Sequence, residues 1–132
     1  LEVSALSIGR TGELIASAAL ELLGHQATAV ANRKYDLLVD CGSKFIRVQV
    51  KASFSTEARG PNYQFKTAHG RHSKKTYVDG QVDIFALVAV DERRCVFLPQ
   101  CDITTVTIRL PKTRFTDREE EARSWRSAME VF

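Results

Sequence analysis

The chain has 132 residues, 44% of them hydrophobic and 27% charged, the balance of one ordinary globular domain spanning 1–132 around a single core. A formal net charge of +3 says little by itself about a polyanionic partner, and no apolar run approaches the length of a membrane-spanning helix. Cys41, Cys95 and Cys101 fit no zinc spacing, and an odd count with no visible signal peptide points to reduced thiols in an intracellular setting, cytoplasmic or, in a eukaryote, organellar. The chain begins at Leu1 rather than Met, so a few leading residues are expected before it.

The first predicted element is a helix over Ser4–Leu23. Leu14, Ile15, Ala18, Ala19 and Leu22 recur at helical spacing, the alanines favour helix, and Gly24 ends it. Thr11-Gly12-Glu13 interrupts its early part and leaves the start open between Ser7 and Gly12. With the late start, Glu13 is a first-turn glutamate favoured by the helix dipole. His25–Ala31 alternates weakly as a strand, and Asn32-Arg33-Lys34 makes a polar turn.

Tyr35–Lys51 then reads as a β-hairpin. Leu37, Leu38 and Val39 form one arm, Cys41-Gly42-Ser43 the turn, and Phe45–Lys51 the other arm. The second arm sets Ile46, Val48 and Val50 on one face and Arg47, Gln49 and Lys51 on the other. Pairing around residues 41–44 brings Asp36 close to the end of the second arm. A carboxylate, an amide oxygen and an ammonium then converge at one sheet edge, a donor set suited to a hard divalent metal with a cation beside a phosphate. Asp40 sits at the turn, where aspartate serves the backbone, and lies far from Lys51. Lys51 also fits a strand-end lysine that protects an edge.

Asp36 followed, one hairpin later, by Gln49-Val50-Lys51 resembles the PD-(D/E)xK nuclease core, with glutamine where most members carry Asp or Glu. Tyr-Asp-Leu-Leu-Val-Asp followed by Arg-Val-Gln-Val-Lys is similar, more narrowly, to the group I intron-associated homing endonucleases of that superfamily. The resemblance covers roughly the first two-thirds of the chain. It implies a restriction-endonuclease-like α/β core, a mixed central sheet flanked by helices. It also implies a glutamate on the first helix, here Glu13, that reaches toward the metal site. Asp36 and Glu13 are then the ligands of Mg2+ or Mn2+, Gln49 positions metal or water, and Lys51 polarises the phosphate or orients the attacking water. With Gln49 in place only two anionic ligands remain, which favours a single metal ion over two.

Beyond the hairpin the charge distribution becomes informative. No acidic residue lies between Glu57 and Asp79, whereas Arg59, Lys66, Arg71, Lys74 and Lys75 do, leaving 14 basic against 16 acidic residues elsewhere. This segment reads either as a solvated loop or as a phosphate-facing grip, and the nuclease resemblance selects the grip, with Arg33 and Lys34 joining it ahead of Asp36. His69 and His72, without a cysteine or acidic partner, make a poor zinc site. Tyr63–Thr67 is a short predicted strand, next in the sheet, and Val82–Val90 a buried central one with Asp83 at its start, placed to tether a basic loop. Cys95–Pro99 is its hairpin partner, and Ile103–Leu110 a further strand ended by Pro111. A helix over Asp117–Val131 is capped by Thr116 or Asp117, with Trp125, Met129 and Phe132 forming an apolar stripe.

The expected activity is Mg2+-dependent hydrolysis of double-stranded DNA at specific sites by a homo-oligomer, dimer or tetramer, because one small domain carries one active site. Two rivals share the core: a structure-selective nuclease of the Holliday-junction-resolvase type, and a DNA-binding module that has lost its chemistry at Gln49.

Overall fold

The computed structural model describes residues 3–31, 34–67 and 81–132. Helix α1 (Ala5–Leu22) is followed by β1 (Gln26–Ala29), β2 (Leu37–Asp40), β3 (Phe45–Ser53), β4 (Asn62–Lys66), β5 (Ile84–Ala89), β6 (Arg94–Pro99) and β7 (Thr107–Pro111). Two helices, α2 (Thr113–Thr116) and α3 (Glu120–Met129), complete the order. The main sheet runs β1-β2-β3-β5-β6, with β3 and β5 parallel and the other neighbours antiparallel. This is the mixed α/β sheet with flanking helices that the sequence predicts.

The alternation of β3 divides the interior into two cores. Ile46, Val48 and Val50 pack with Ala16, Ala19 and Leu20 of α1 and Trp125 and Ala128 of α3 on one face. On the other, Phe85, Leu87 and Ala89 of β5 meet Tyr63, Phe65, Leu110 and Phe115. Strand β5 is buried along its whole length because both faces are covered. The tip of the β2–β3 hairpin closes with Cys41 N–H donating to the Lys44 carbonyl and Gly42 at φ 87°. The Asp40 carboxylate accepts from the Gly42 N–H at 2.9 Å, so it serves the turn.

Several sequence expectations are corrected. Helix α1 is unbroken from Ala5, capped by Ser4, whose hydroxyl accepts from the Ser7 N–H, so Glu13 lies well inside the helix and not in its first turn. The buried stripe is Gly12, Ala16, Ala19 and Leu20, while Leu14 and Leu22 point outward. Small side chains face the sheet because the helix runs close to it. Strand β4 does not extend the main sheet; it pairs with β7 in a second, two-stranded sheet. Residue Ile103 is buried but precedes that strand, which starts only at Thr107. Helix α3 starts at Glu120, and Asp117 caps it indirectly by accepting from the Glu119 N–H. Of the predicted apolar stripe, Trp125 enters the core, Met129 is partly buried and Phe132 is exposed.

Edge strand β6 is guarded by α3. The Cys95 N–H donates to Glu121 Oε2 and the Phe97 N–H to the buried Ser124 hydroxyl, so side chains take the place of a further strand.

Candidate active site

Asp36 stands where β2 leaves β3. The last registered pair of that ladder is Leu37 opposite Val48, and β3 runs on to Ser53. The Asp36 N–H donates to the Val48 carbonyl at 2.9 Å, and its own carbonyl accepts from Val30 N–H at 3.0 Å. One step further along β3, the Val50 N–H has lost its strand partner, and Asp36 Oδ2 accepts from it at 2.8 Å. The carboxylate continues the ladder where the backbone stops. That fixes the side chain at the fork between the strands, with little freedom left to it.

Helix α1 brings Glu13 to the same fork. A Cβ on Gly12 would lie 2.7 Å from the Ala52 Cβ and 3.5 Å from a Val50 methyl, so only glycine lets the helix approach β3 this closely. The adjacent residue, Glu13, then comes within electrostatic range of Asp36. Burial pushes the Glu13 carboxyl above the usual carboxylate range, and Asp36 pushes it further, while Arg10 acts in the opposite direction. Burial likewise raises Asp36, opposed by the Val50 N–H and by Lys51. Two partly desolvated carboxylates that repel each other are what a divalent cation relieves, so these donors fit one. Among the described residues no group of three His, Cys, Asp or Glu side chains is disposed to hold a metal. Among the described residues, Glu13 and Asp36 are the carboxylates that act on each other at the fork, and Gln49 precedes Val50 on β3.

Lys51 is half-buried beyond the end of β2, paired in register with Leu87 of β5. Burial lowers its ammonium from the ordinary lysine value, and Asp36 partly restores it. Gln49 is half-exposed two residues earlier on the same strand face, opposite Phe85. The structure therefore brings Glu13, Asp36 and Lys51 into one electrostatic cluster, with Gln49 beside Lys51 on β3.

The same strand face carries a feature that the sequence reading did not identify. Asp83 clamps Arg47, while the basic loop it was expected to tether lies outside the described residues. Its Oδ2 accepts from the Arg47 backbone N–H at 2.8 Å and from Nε at 3.0 Å, and its Oδ1 from Nη2 at 2.8 Å. The Asp83 N–H returns a bond to the Arg47 carbonyl. The clue lay in the alternation, which sets Arg47 in line with Gln49 and Lys51 and places a carboxylate at the entrance to the parallel strand.

The sequence-predicted backbone contacts are more scattered. Lys34 is exposed just before Asp36. Arg59 is exposed in a 3₁₀ turn, at φ 56°, ahead of β4, and Lys66 is exposed at the far end of that strand. Arg33, Arg71, Lys74 and Lys75, with His69 and His72, lie outside the described residues. No described helix is long and apolar enough to cross a membrane.

The sequence model of a family described as PD-(D/E)XK endonuclease matches residues 8–130. Among solved structures, a bacterial homing endonuclease, I-Ssp6803I, superimposes with a TM-score of 0.74 over 98% of this chain and 94% of that one, at 17% identity. That likeness establishes a shared fold. No curated protein sequence matches the chain.

Proposed function

This chain belongs to the PD-(D/E)XK endonuclease family, and from that premise we propose that it hydrolyses double-stranded DNA at specific sites with Mg2+ or Mn2+, as a homing-type enzyme. The endonuclease activity follows from the family, whose members generally use divalent metals. DNA as substrate, the identity of the metal and the site specificity are the proposal. The observation that carries it is the Asp36 carboxylate at the strand fork, with Glu13 on the helix side and Lys51 on the strand side.

In this reading Asp36 and Glu13 hold the cation and Gln49 offers it an amide oxygen or orients a water. A bound divalent ion supplies Lewis-acid polarisation of a phosphoryl oxygen and lowers the pKa of a bound water. Lys51 donates to the phosphate as negative charge grows in the transition state and helps orient the attacking water. The hydrogen bond from Val50 holds the Asp36 carboxylate in place before substrate arrives, so no reorganisation is needed there. Arg33, Lys34, Arg59, Lys66, Arg71, Lys74 and Lys75 supply backbone contacts along the duplex. One site per chain makes a homo-oligomer, dimer or tetramer, the means of cutting both strands.

The test is cleavage of randomised duplex, single strands and a four-way junction by wild type and Asp36→Asn, with and without Mg2+. Metal-dependent duplex cutting by wild type alone supports the reading. Preference for the junction replaces it with a resolvase-type activity, and duplex binding with no cutting of any substrate identifies a DNA-binding module.

A further inference from the structure

The helix side of the fork opens into a pocket of about 250 Å³ lined by Arg10, Glu13, Leu14, Ser17, Ala29 and Leu37. Arg10 and Ser17 stand three residues before and four after Glu13, one helical turn to each side, so all three lie on one face of α1. Leu37 ties this pocket to the active-site fork, since it follows Asp36 directly and pairs with Val48. The pocket thus presents a guanidinium, a carboxylate and a hydroxyl in a row, next to the proposed cation ligands.

Arg10 is exposed. Of the described arginines, Arg47, Arg109, Arg114 and Arg123 are engaged in ion pairs with Asp83, Glu57, Glu120 and Asp117, whereas Arg59, Arg93, Arg94, Arg118 and Arg126 are not; Arg10 differs from these in lining the pocket beside Glu13. Among the described residues, the Arg10 side chain makes no ion pair within 4.0 Å and no hydrogen bond, and its charge lowers the Glu13 carboxyl. A cation that secures no fold contact, held one turn from a carboxylate, points to an anion arriving from outside. DNA approaching Glu13 and Asp36 meets two negative charges, and Lys51 offsets them only from the strand side. A second cation on the helix side balances the approach.

We infer that Arg10, assisted by the Ser17 hydroxyl, binds a DNA backbone phosphate next to the scissile one, on the α1 side of the active site. The inference rests on the nuclease reading and names a subsite within it. Arg10 is a positioning residue in this assignment. Its planar fork grips two phosphate oxygens, which lysine matches only as a point charge.

The experiment measures binding of a fluorescently labelled randomised duplex between about 50 and 200 mM salt. Wild type, Arg10→Gln, Arg10→Lys and Ser17→Ala are compared in the cleavage-deficient Asp36→Asn background, and cleavage kinetics are measured for the same substitutions with Asp36 intact. Arg10→Gln is expected to weaken binding about ten-fold and to reduce the slope of log affinity against log salt by about 1. Arg10→Lys is expected to keep the slope and lose part of the affinity, and Ser17→Ala to weaken binding less than Arg10→Gln. In cleavage, the loss falls chiefly on KM. All variants are expected to melt with their parent, because neither side chain secures a described fold contact. An unchanged slope in Arg10→Gln, or a kcat loss at unaltered binding, overturns the inference and leaves the nuclease reading standing. Binding by the parent that does not respond to salt removes both.

Discussion

At Asp36 the carboxylate serves the backbone and the proposed metal site together, and two substitutions separate these roles. Asparagine keeps an oxygen for the Val50 N–H and removes the charge, whereas alanine leaves that buried N–H without its acceptor. Asp36→Ala is therefore expected to lower stability by about 1–3 kcal/mol in urea denaturation, with Asp36→Asn near or above wild type at neutral pH. Both are expected to abolish cleavage. The pH dependence has a definite sign. Burial raises the native Asp36 carboxyl above its ordinary value, so the folded state holds the proton more tightly than the unfolded one. That contribution is full below the unfolded carboxylate pKa, about 3.9, and is lost as pH rises through the native value. Melting temperatures of wild type minus Asp36→Asn should accordingly fall from acid toward neutral pH. A difference that rises over this range would show that the native carboxyl is depressed, against the burial argument.

At the scale of elements, the placement of α1 depends on Gly12. Alanine there gains roughly 1 kcal/mol of helix propensity but drives its Cβ into Ala52, and relieving the overlap costs about 1–3 kcal/mol. The helix has to lift, and Glu13 lifts with it. Gly12→Ala is expected to reduce cleavage by roughly a hundred-fold, the scale on which small displacements act. Adding Ala52→Gly clears the space, so the double variant should recover most of that activity, with a favourable coupling of about 1–3 kcal/mol in a double-mutant cycle. Strictly additive effects would refute the close-approach account. The Arg47–Asp83 clamp gives a contrasting case. Asp83 accepts three bonds from Arg47, and Asp83→Ala is expected to cost about 2–3 kcal/mol, discounted because Arg47 is one-third exposed. Its cleavage per folded molecule, measured well below the melting temperature, should remain close to wild type, since no bond of the clamp involves Glu13, Asp36 or Lys51.

These elements also show why parts of the chain are legible in sequence and others are not. The hairpin follows from local rules: period-two alternation sets the faces of β3, and Gly42 sets the turn, which in turn fixes the register that carries Asp36 to Val50. Gly12 looks like a helix breaker until Ala52, distant in sequence, is known to face it. Strand β4 carries no mark of its separate sheet, because its partner β7 is defined only by tertiary contact. The phase of α1 is misjudged for a related reason. Leucines read as core, but a helix lying this close to a sheet buries small residues and turns Leu14 and Leu22 outward. For the site, the residue types Asp36, Gln49 and Lys51 were visible as a pattern, and the Arg10–Glu13–Ser17 row emerges only once α1 is continuous through Gly12.

At the scale of the whole molecule, the described residues of each chain form one such fork, whereas a double-strand break needs two hydrolyses on strands of opposite polarity. If two chains of a homo-oligomer each cut one strand, wild type mixed with excess Asp36→Asn should form assemblies with one competent site. The expected product is nicked duplex, whose ratio to linear product rises with the variant fraction while linear product falls as roughly the square of the wild-type fraction. The mixture has to be equilibrated before substrate is added, so that chains exchange. Asp36→Asn suits this use because it retains the Val50 bond and hence the fold. Linear product falling in simple proportion to wild-type protein, with no accumulation of nicks, would mean that each chain makes both cuts, and the oligomeric reading of double-strand cleavage would have to be abandoned. A rise in nicks confined to the four-way junction would instead assign the paired cut to branched substrates.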